Sequence, residues 1–401
     1  MRVLWVTPHL PDPDRGGGWS TEYVFLAAAA RRHDITLLTG GLEPGETTTA
    51  LEALGIDVRG VSWQRRPAPS GRLALVWRLL TARAVIEFWQ KTDAVVQLRQ
   101  AVRQAEREER YDLVQVTLGE IAPVVAAARA VSALFLFDVY GRQVDREVAN
   151  APTPRHRLLW HIEARKAHRW ERRWYPQADS VACVTALDAA AIDPVLARPA
   201  RVVPVPLSDE FFDVPSVARS TDAVAIIGML NYRPNIDALL WFTSEVWPLI
   251  VAKCPGARLQ VVGRAPVEEV RSAVAEAGGE LLADVPDARP YYWGAAVVPV
   301  PMRLGSGMRN KVLHAIATGA PLVATSTAIE GIGLQPDEHL LVADGGAADF
   351  AAKVVQCLED RDNAFVRAQA ARRFCERYRI DKVAEVHDEW WQSAAGLGAT
   401  T

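Results

Sequence analysis

Cysteine is scarce: four in 401 residues, at Cys183, Cys254, Cys357 and Cys375. They form no CxxC pair and no metal-ligand spacing, which excludes a disulfide-stapled scaffold and a zinc module and suits the reduced thiols of a cytosolic chain. An excess of one charge is also missing. With 45 Lys and Arg against 48 Asp and Glu, the net charge is −3, so no global field for nucleic acid exists. No uninterrupted apolar run approaches the roughly 20 residues a membrane span needs. Met1-Arg2 leads straight into an apolar run, so the absence of a signal peptide and a cytoplasmic protein are expected. Half of the residues are hydrophobic and 23% charged, as in a globular protein. The chain is too long for one ordinary core, and two domains are expected.

What is present is a repeated rhythm of short apolar runs and amphipathic stretches. Val3–Thr7 reads as a buried strand, followed by the loop PHLPDPDRGGGWS, a helix from Thr21 to Arg32 capped by Ser20 or Thr21, and a strand at Asp34–Leu38. That order begins a doubly wound sheet. Gly16-Gly17-Gly18 lacks the GxGxxG spacing, and no acidic residue closes the second strand, although Glu43 follows it, so nicotinamide binding is not favoured. Asp12-Pro13-Asp14 lies between prolines and reads as a loop, not a metal motif. Further strands are expected at Val58–Ser62, Tyr111–Thr117, Leu134–Asp138, Val181–Val184 and Val202–Val205, with helices over Arg72–Gln104 and Ala122–Ala130. Arg155–Trp174 is a long helix in which Trp160, Trp170 and Trp174 interleave with arginines. Tryptophans facing the core and solvated arginines are the favoured reading. A peripheral contact with an anionic membrane, at its inner face, stays open.

Leu207–Asp222 is polar and reads as a linker between a first domain, 1–206, and a second, 223–375. Residues 376–401 supply a last helix expected to pack back on the first domain. The second domain restarts the rhythm: strands at Ala223–Ile227 and Arg258–Val262, helices at Asp237–Ala252 and Glu268–Ala277. Its centre is Val297–Gly333. A strand, Val297–Val300, tightens into Gly305-Ser306-Gly307. A helix begins at Arg309, with Val312, Leu313, Ile316 and Ala317 at helical spacing, and ends at Gly319. A glycine turn at a helix N-terminus favours an anion. Here Arg303 precedes that turn and Arg309 and Lys311 follow it, which makes a phosphate site.

These residues resemble glycosyltransferase family 4, enzymes of GT-B fold. The matching stretches are GMLNYRPNIDALLWF (Gly228–Phe242), VVGRAP (Val261–Pro266), VPDARPYY (Val285–Tyr292), Pro301–Gly333 and LLVAD (Leu340–Asp344). TPHLPDPDRGGG (Thr7–Gly18), RRHDITLL (Arg31–Leu38) and Glu171–Thr185 match more loosely. The resemblance implies an α/β chain of two Rossmann-like doubly wound domains facing across a cleft, the first binding the acceptor and the second the nucleotide sugar. It implies retaining, metal-independent transfer of a sugar from a nucleoside-diphosphate sugar, with UDP-sugar favoured, to a hydroxyl of a glycan, glycolipid or small natural product. No cofactor is implied beyond that donor.

Arg309 and Lys311 are then expected to meet the charge of the leaving diphosphate, both as surface residues. The donor-binding set comprises Gly17 and Gly18 of the first domain with Gly228, Asn235, Arg264, Val285, Arg303, Gly305, Ser306, Gly307, His314 and Glu330 of the second. Many family members carry a glutamate at the places of Ser306 and His314, and Arg and Lys at those of Met229 and Asn235. The phosphate cations are thus read as moved to Arg309 and Lys311. Tyr140 stands where a histidine is frequent, which leaves Asp138, Glu120 and His9 as groups able to accept an acceptor proton. Aromatic Trp77, Phe88 and Trp89 suggest a dedicated acceptor pocket. Competing readings are a nucleotide-sugar epimerase or phosphorylase on the same architecture, and a non-catalytic two-domain binding protein.

Overall fold

A computed structural model describes all residues except 14, 16, 42–44, 68–70, 72–84, 150, 152, 217–218, 306 and 397–401. Ser306, Trp77, Gly16, Asp14 and Glu43 therefore lie outside the described residues. The chain divides into two compact units, Met1–Pro206 with Ile380–Thr401, and Leu207–Arg379.

The first unit holds strands β1 (Arg2–Thr7), β2 (Asp34–Gly40), β3 (Asp57–Val61), β4 (Leu113–Thr117), β5 (Val131–Leu136), β6 (Ser180–Cys183) and β7 (Arg201–Val202). They form one sheet in the order β3-β2-β1-β4-β5-β6-β7, parallel throughout. β1 and β4 are buried along nearly their whole length, because a parallel sheet is covered on both faces and its central strands read as continuous apolar runs. On one face the Thr92–Glu108 helix buries Ala94, Val95, Leu98, Val102 and Ala105, a spacing of three and four. Each such large aliphatic contributes about 2 kcal/mol by leaving water.

Gln115 stands wholly buried on β4. Its side-chain oxygen accepts from Trp391 Nε1 at 2.8 Å and lies 2.9 Å from His387 Nε2. Trp390 Nε1 donates to Ser180 Oγ at 2.7 Å. A buried amide needs such partners, and these fix the Ile380–Ala394 helix onto this sheet. Asp388 adds pairs with Arg32 and His33, each at 2.7 Å.

Several local expectations change. The first helix runs Gly18–Ala30 with Gly17 at its N-cap. Ser20 and Thr21 do not cap it; their hydroxyls donate to the Gly17 carbonyl at 3.1 and 3.0 Å. The segment after β4 is a 3-10 helix, Gly119–Ala127, because Pro123 lies inside it and has no N–H to give. β5 ends at Leu136, so Asp138 sits beyond the strand and is exposed.

The Pro154–Trp174 helix buries Glu163, Ala164, Ala167 and Glu171. Trp170 donates to the Gly119 carbonyl at 2.8 Å and lies 5.3 Å from the Phe88 ring; Trp174 packs 5.9 Å from Trp170. These tryptophans face inward. Arg155, Arg157, Arg165, Arg169 and Arg172 are exposed. Among the described residues no helix is long and apolar enough to cross a membrane.

The second unit holds β8 (Ala223–Ile227), β9 (Arg258–Gly263), β10 (Glu280–Ala283), β11 (Val298–Val300), β12 (Leu322–Ala324) and β13 (Leu341–Val342). Two parallel three-stranded sheets, β10-β9-β8 and β11-β12-β13, are joined by a bridge between Val224 and Val297, where Ala225 N donates to Val297 O at 3.1 Å. The combined order has the form 3-2-1-4-5-6 of a doubly wound nucleotide fold. The helix expected over Asp237–Ala252 instead comprises Arg233–Trp241, a π-helical stretch Phe242–Val246, and Trp247–Lys253. Pro248 cannot supply an N–H to the preceding turn, and the wider turn absorbs the loss.

Leu207–Asp222 is not a free linker. Its described residues belong to the second unit and are docked onto it. Leu207 N donates to Tyr378 O at 2.7 Å. Arg219 caps four carbonyls, those of Tyr292, Trp293, Thr318 and Gly319, at 2.7–3.0 Å.

Candidate donor site at the carboxyl ends of β8 and β11

In an open α/β sheet, ligands bind outside the carboxyl ends of the strands where the winding reverses. In the second unit that point lies between β8 and β11. A recess opens there, lined by Ile226, Ile227, Gly228 and Leu230, by Asn235, Ala238 and Leu239 from the Arg233–Trp241 helix, by Pro299–Met302 and by Lys311.

Local sequence makes the recess. Gly228 follows the last residue of β8, and a Cβ there would stand 3.2 Å from both Asn235 Nδ2 and Lys311 Nζ. Beside it a Cβ on Gly263 would lie 1.8 Å from the Gly228 carbonyl, so the two strand ends approach closely only as glycines. Asn235 is nearly buried; its amide donates to Met229 O at 2.7 Å and its oxygen accepts from Lys311 Nζ at 2.5 Å. Among the described residues Asn235 is the hydrogen-bond partner of Lys311, and no carboxylate pairs with that ammonium.

The turn before the helix places the second cation. Gly305 has φ +104° and its missing Cβ leaves room for Arg309 Nη2, which would stand 3.0 Å away. Arg309 sits in extended conformation just before the Asn310–Ala317 helix and donates from Nη1 to the Gly307 carbonyl at 2.9 Å. It is 9% exposed. The expectation that Arg309 and Lys311 are surface residues is therefore wrong. The guanidinium folds back under the glycine turn, and Lys311 is half-buried against Asn235. Burial, and secondly the neighbouring Arg309 charge, push the Lys311 ammonium down to about 7. Gly319, at φ +66°, closes the helix.

The remaining expected donor residues are placed less uniformly. Arg303 is exposed; it pairs with Asp237 at 2.8 Å and lies 5.3 Å over the Trp241 ring, so its charge is met outside the recess. Arg264 is half-buried, and its carbonyl accepts from Leu230 N at 2.9 Å. Val285 is half-buried and follows Asp284, a residue at φ +53° whose carboxylate accepts from Ala265 N at 2.8 Å. Glu330 is half-buried at the end of the Ser326–Ile329 helix. His314 stacks on Phe211, centroids 3.9 Å apart and planes 6° apart, with Tyr292 edge-on at 6.2 Å. Burial pushes its imidazole down to about 4, so it is neutral at ordinary pH. Its ring makes no hydrogen bond among the described residues, and the packed reading of this histidine fits better than a polar contact.

Gly17, Gly18, Glu120 and Asp138 belong to the first unit. Gly17 has φ +61° with nothing near its missing Cβ; a Cβ on Gly18 would lie 3.9 Å from Phe137. Glu120 is hydrogen-bonded to Lys91, and burial raises its carboxyl above the ordinary value. Phe88 is buried against Tyr140 at 4.9 Å and against Trp170, an internal cluster and not an open pocket wall.

Sequence reasoning missed Arg219 and Glu22. No local signal marks Arg219, since its four acceptors come from distant turns. Glu22 shares one helical face with Phe25, Leu26 and Ala29 at spacings of three, four and seven, and that periodicity could have shown it to be buried.

Two parallel doubly wound units, one with a pair of cations at its switch point, define a nucleotide-binding architecture of GT-B type. The glycosyl transferases group 1 family model matches residues 221–360, and the glycosyl transferase 4-like domain model matches residues 15–208. The chain belongs to the group 1 glycosyl transferases. The crystal structure of Anabaena Alr3699/HepE in complex with UDP is similar over 98% of this chain and 100% of its own, at 16% identity and TM-score 0.68. Sucrose-phosphate synthase from Thermosynechococcus elongatus is similar over 98% of both chains, at 16% identity and TM-score 0.70. Trehalose 6-phosphate synthase from Burkholderia multivorans covers 98% of this chain and 99% of its own, at 12% identity and TM-score 0.67. A curated relative, an uncharacterized 44.6 kDa protein in the cps region of Klebsiella pneumoniae, is 26% identical over 129 residues, 30% of this chain. The chain spans about a third of that relative's length.

Proposed function

We propose that the protein is a retaining, metal-independent glycosyltransferase that moves a sugar from a UDP-sugar to a hydroxyl of an acceptor, a glycan, glycolipid or small natural product. The observation that carries this is the placement of Arg309 and Lys311 side by side at the switch point of the second unit. Two neighbouring cations drawn in from solvent repel one another and lose hydration, a cost that a bound diphosphate offsets. The nucleotide preference draws support from Alr3699/HepE, which is described in complex with UDP and with UDP-glucose.

In the reaction the bond between the anomeric carbon and the diphosphate oxygen breaks, and the electron pair leaves with the diphosphate. Arg309 and Lys311 meet that growing charge, the part that a divalent cation plays elsewhere. The acceptor oxygen bonds to the anomeric carbon on the face the diphosphate leaves, and its proton passes to the departing phosphate oxygen. That route preserves configuration and needs no side chain as base. The four cysteines are all unpaired, which suits work in the cytoplasm.

The experiment is a screen of UDP-, GDP- and dTDP-sugars for thermal stabilisation and slow hydrolysis, followed by Arg309→Ala and Lys311→Ala. UDP-sugar stabilisation and release of UDP, lost in both variants, are expected. Binding without consumption of any donor would indicate a ligand-binding protein, and a new sugar isomer formed from donor alone would indicate an epimerase.

A further inference from the structure

The surroundings of Lys311 suit an amine better than an ammonium. Its Nζ donates to Asn235 Oδ1 at 2.5 Å, and Asn235 is itself held by donation to Met229 O at 2.7 Å. That partner is a neutral amide, and among the described residues no carboxylate pairs with Nζ. Asp237, two residues further along the same helix, has both oxygens taken by Arg303 at 2.8 and 3.1 Å. The ends of β8 and β11 bring no charged residue to the recess; Ile226, Leu230, Pro299 and Val300 line it there, with Ala238 and Leu239 opposite. Gly228 leaves the space beside Nζ open, since a Cβ there would stand 3.2 Å away. The charged neighbour is Arg309, just before the Asn310–Ala317 helix, and His314, one helical turn on, is neutral at ordinary pH.

Each of these features acts in the same direction. An apolar wall disfavours the charged form, a like charge beside it disfavours it again, and a neutral amide offsets less of that than a carboxylate would. Burial first and Arg309 second push the ammonium down to about 7. At pH 7.5 about three-quarters of Lys311 is then the free amine, against roughly one part in a thousand of an ordinary exposed lysine. A desolvated lysine beside a second cation is an arrangement that makes an amine nucleophilic near neutral pH. The recess also selects the electrophile. It must be small, pass an apolar wall, and leave a negative charge for Arg309 to hold. An aldehyde would give an imine, which brings no negative charge to the pair. Carbon dioxide meets all three conditions.

We propose that Lys311 is a carbamate site: its Nζ adds reversibly to carbon dioxide, and the carbamate occupies the recess and excludes a diphosphate. The nitrogen lone pair forms the N–C bond, one C=O π pair moves onto oxygen, and Nζ gives one proton to water. The balance is amine plus carbon dioxide to carbamate plus a proton, and nothing is oxidised or reduced. The side chain becomes an anion, Arg309 becomes its counter-ion, and the hydrogen left on Nζ keeps the bond to Asn235 Oδ1. The exclusion of a nucleoside diphosphate rests on the donor reading above; the adduct itself does not. Dissolved carbon dioxide and rising pH then act together against donor uptake, because both draw Lys311 out of its charged form.

The test uses the full chain at pH 7.5 with isotopically labelled bicarbonate as the source of carbon dioxide. Carbamates are trapped by methylation with trimethyloxonium and located by peptide mass spectrometry, so no turnover is needed. An adduct at Lys311 is expected, at least about tenfold above that at the exposed Lys382, a floor well below the ratio of free amines. Saturating UDP should remove it, and carbon dioxide should weaken UDP binding saturably in calorimetry. Asn235→Asp gives Lys311 a carboxylate partner, holds it charged, and should lower the adduct about tenfold with the lysine still present. Lys311→Arg should bind UDP with an affinity indifferent to carbon dioxide. Absence of an adduct at Lys311 in the wild-type protein overturns the proposal. So does equal trapping at Lys311 and Lys382, undiminished trapping in a folded Asn235→Asp variant, or an adduct that persists with UDP bound. The wild-type trapping and its loss with UDP decide the matter even where a variant fails to fold. Failure of the wild-type protein to bind UDP would instead sink the glycosyl-transfer reading, and the trapping at Lys311 would still decide this one.

Discussion

If the second unit binds UDP as proposed, Lys311 makes that binding a proton-linked event with a predictable slope. In the free protein its ammonium is pushed down from 10.5 to about 7 by burial and by Arg309. Depression of a lysine means the folded state holds its proton less well than the unfolded state. Its contribution to stability therefore rises with pH between about 7 and 10.5. A bound diphosphate reverses the local balance and favours the charged form, so binding above pH 7 takes up a proton and weakens as pH rises. With the protonated form alone competent, its population falls from about a quarter at pH 7.5 to about one hundredth at pH 9, a loss of affinity of about 20-fold. Phosphate second ionisations lie near 6, so the charge of UDP is constant across that window. Titration calorimetry of UDP at pH 7.5, 8.25 and 9, in buffers of different ionisation enthalpy, measures both the affinity and the proton uptake. Lys311→Arg keeps its charge and should bind with a flat profile. A flat wild-type profile, or the same slope in Lys311→Arg, would refute the reasoning.

Other consequences follow from the same contacts. Gly305→Ala places a Cβ 3.0 Å from Arg309 Nη2 at φ +104°, which should cost about 1–3 kcal/mol in strain. It should also displace the guanidinium, read as a lower Tm and at least tenfold weaker UDP binding. Arg219→Met removes donors from four carbonyls and should lower stability by about 3 kcal/mol in urea unfolding. An unchanged midpoint would deny the clamp. His314→Phe keeps the stack on Phe211 and should leave UDP affinity within about twofold, whereas a polar contact to the nucleotide would cost about 1 kcal/mol or more. With its tryptophans inward and its arginines solvated, the Pro154–Trp174 helix should leave the protein in the supernatant with anionic vesicles; salt-reversible sedimentation, lost in a double Arg165→Gln, Arg169→Gln variant, would instead show a peripheral contact. Binding that persists at high salt would point to insertion, which the inward tryptophans disfavour.

The α/β rhythm was legible because parallel strands buried on both faces appear as apolar runs, such as Val3–Thr7 and Ala223–Ile227. Boundaries failed where backbone chemistry intervened. Pro123 turned an expected α-helix into a 3-10 stretch, and Pro248 divided one helix with a π-helical turn. Leu207–Asp222 read as a linker because its polarity is real; Arg219, which ties it down, meets carbonyls that no sequence window contains. At the donor site Arg309 and Lys311 could be picked out from the glycine turn they follow, but their burial could not. A guanidinium lies under Gly305 only because the turn curls over it.

The two switch points together explain why residue chemistry, more than fold, carries the functional argument. Both units wind in the same way and reverse beside their first strand, so topology alone offers two equivalent places for a ligand. Their side chains break that equivalence. Between β8 and β11 stand Arg309 and Lys311 with the neutral Asn235 between strand end and ammonium. Between β1 and β4 stand the fully buried Glu22, His9 and a Lys91–Glu120 pair. One group attracts a multivalent anion and rejects a cation; the other holds charges of both signs that satisfy one another and still leave donors and acceptors at the surface. The pH-dependence at Lys311 therefore tests the chemical argument at the group that would hold the charged carrier.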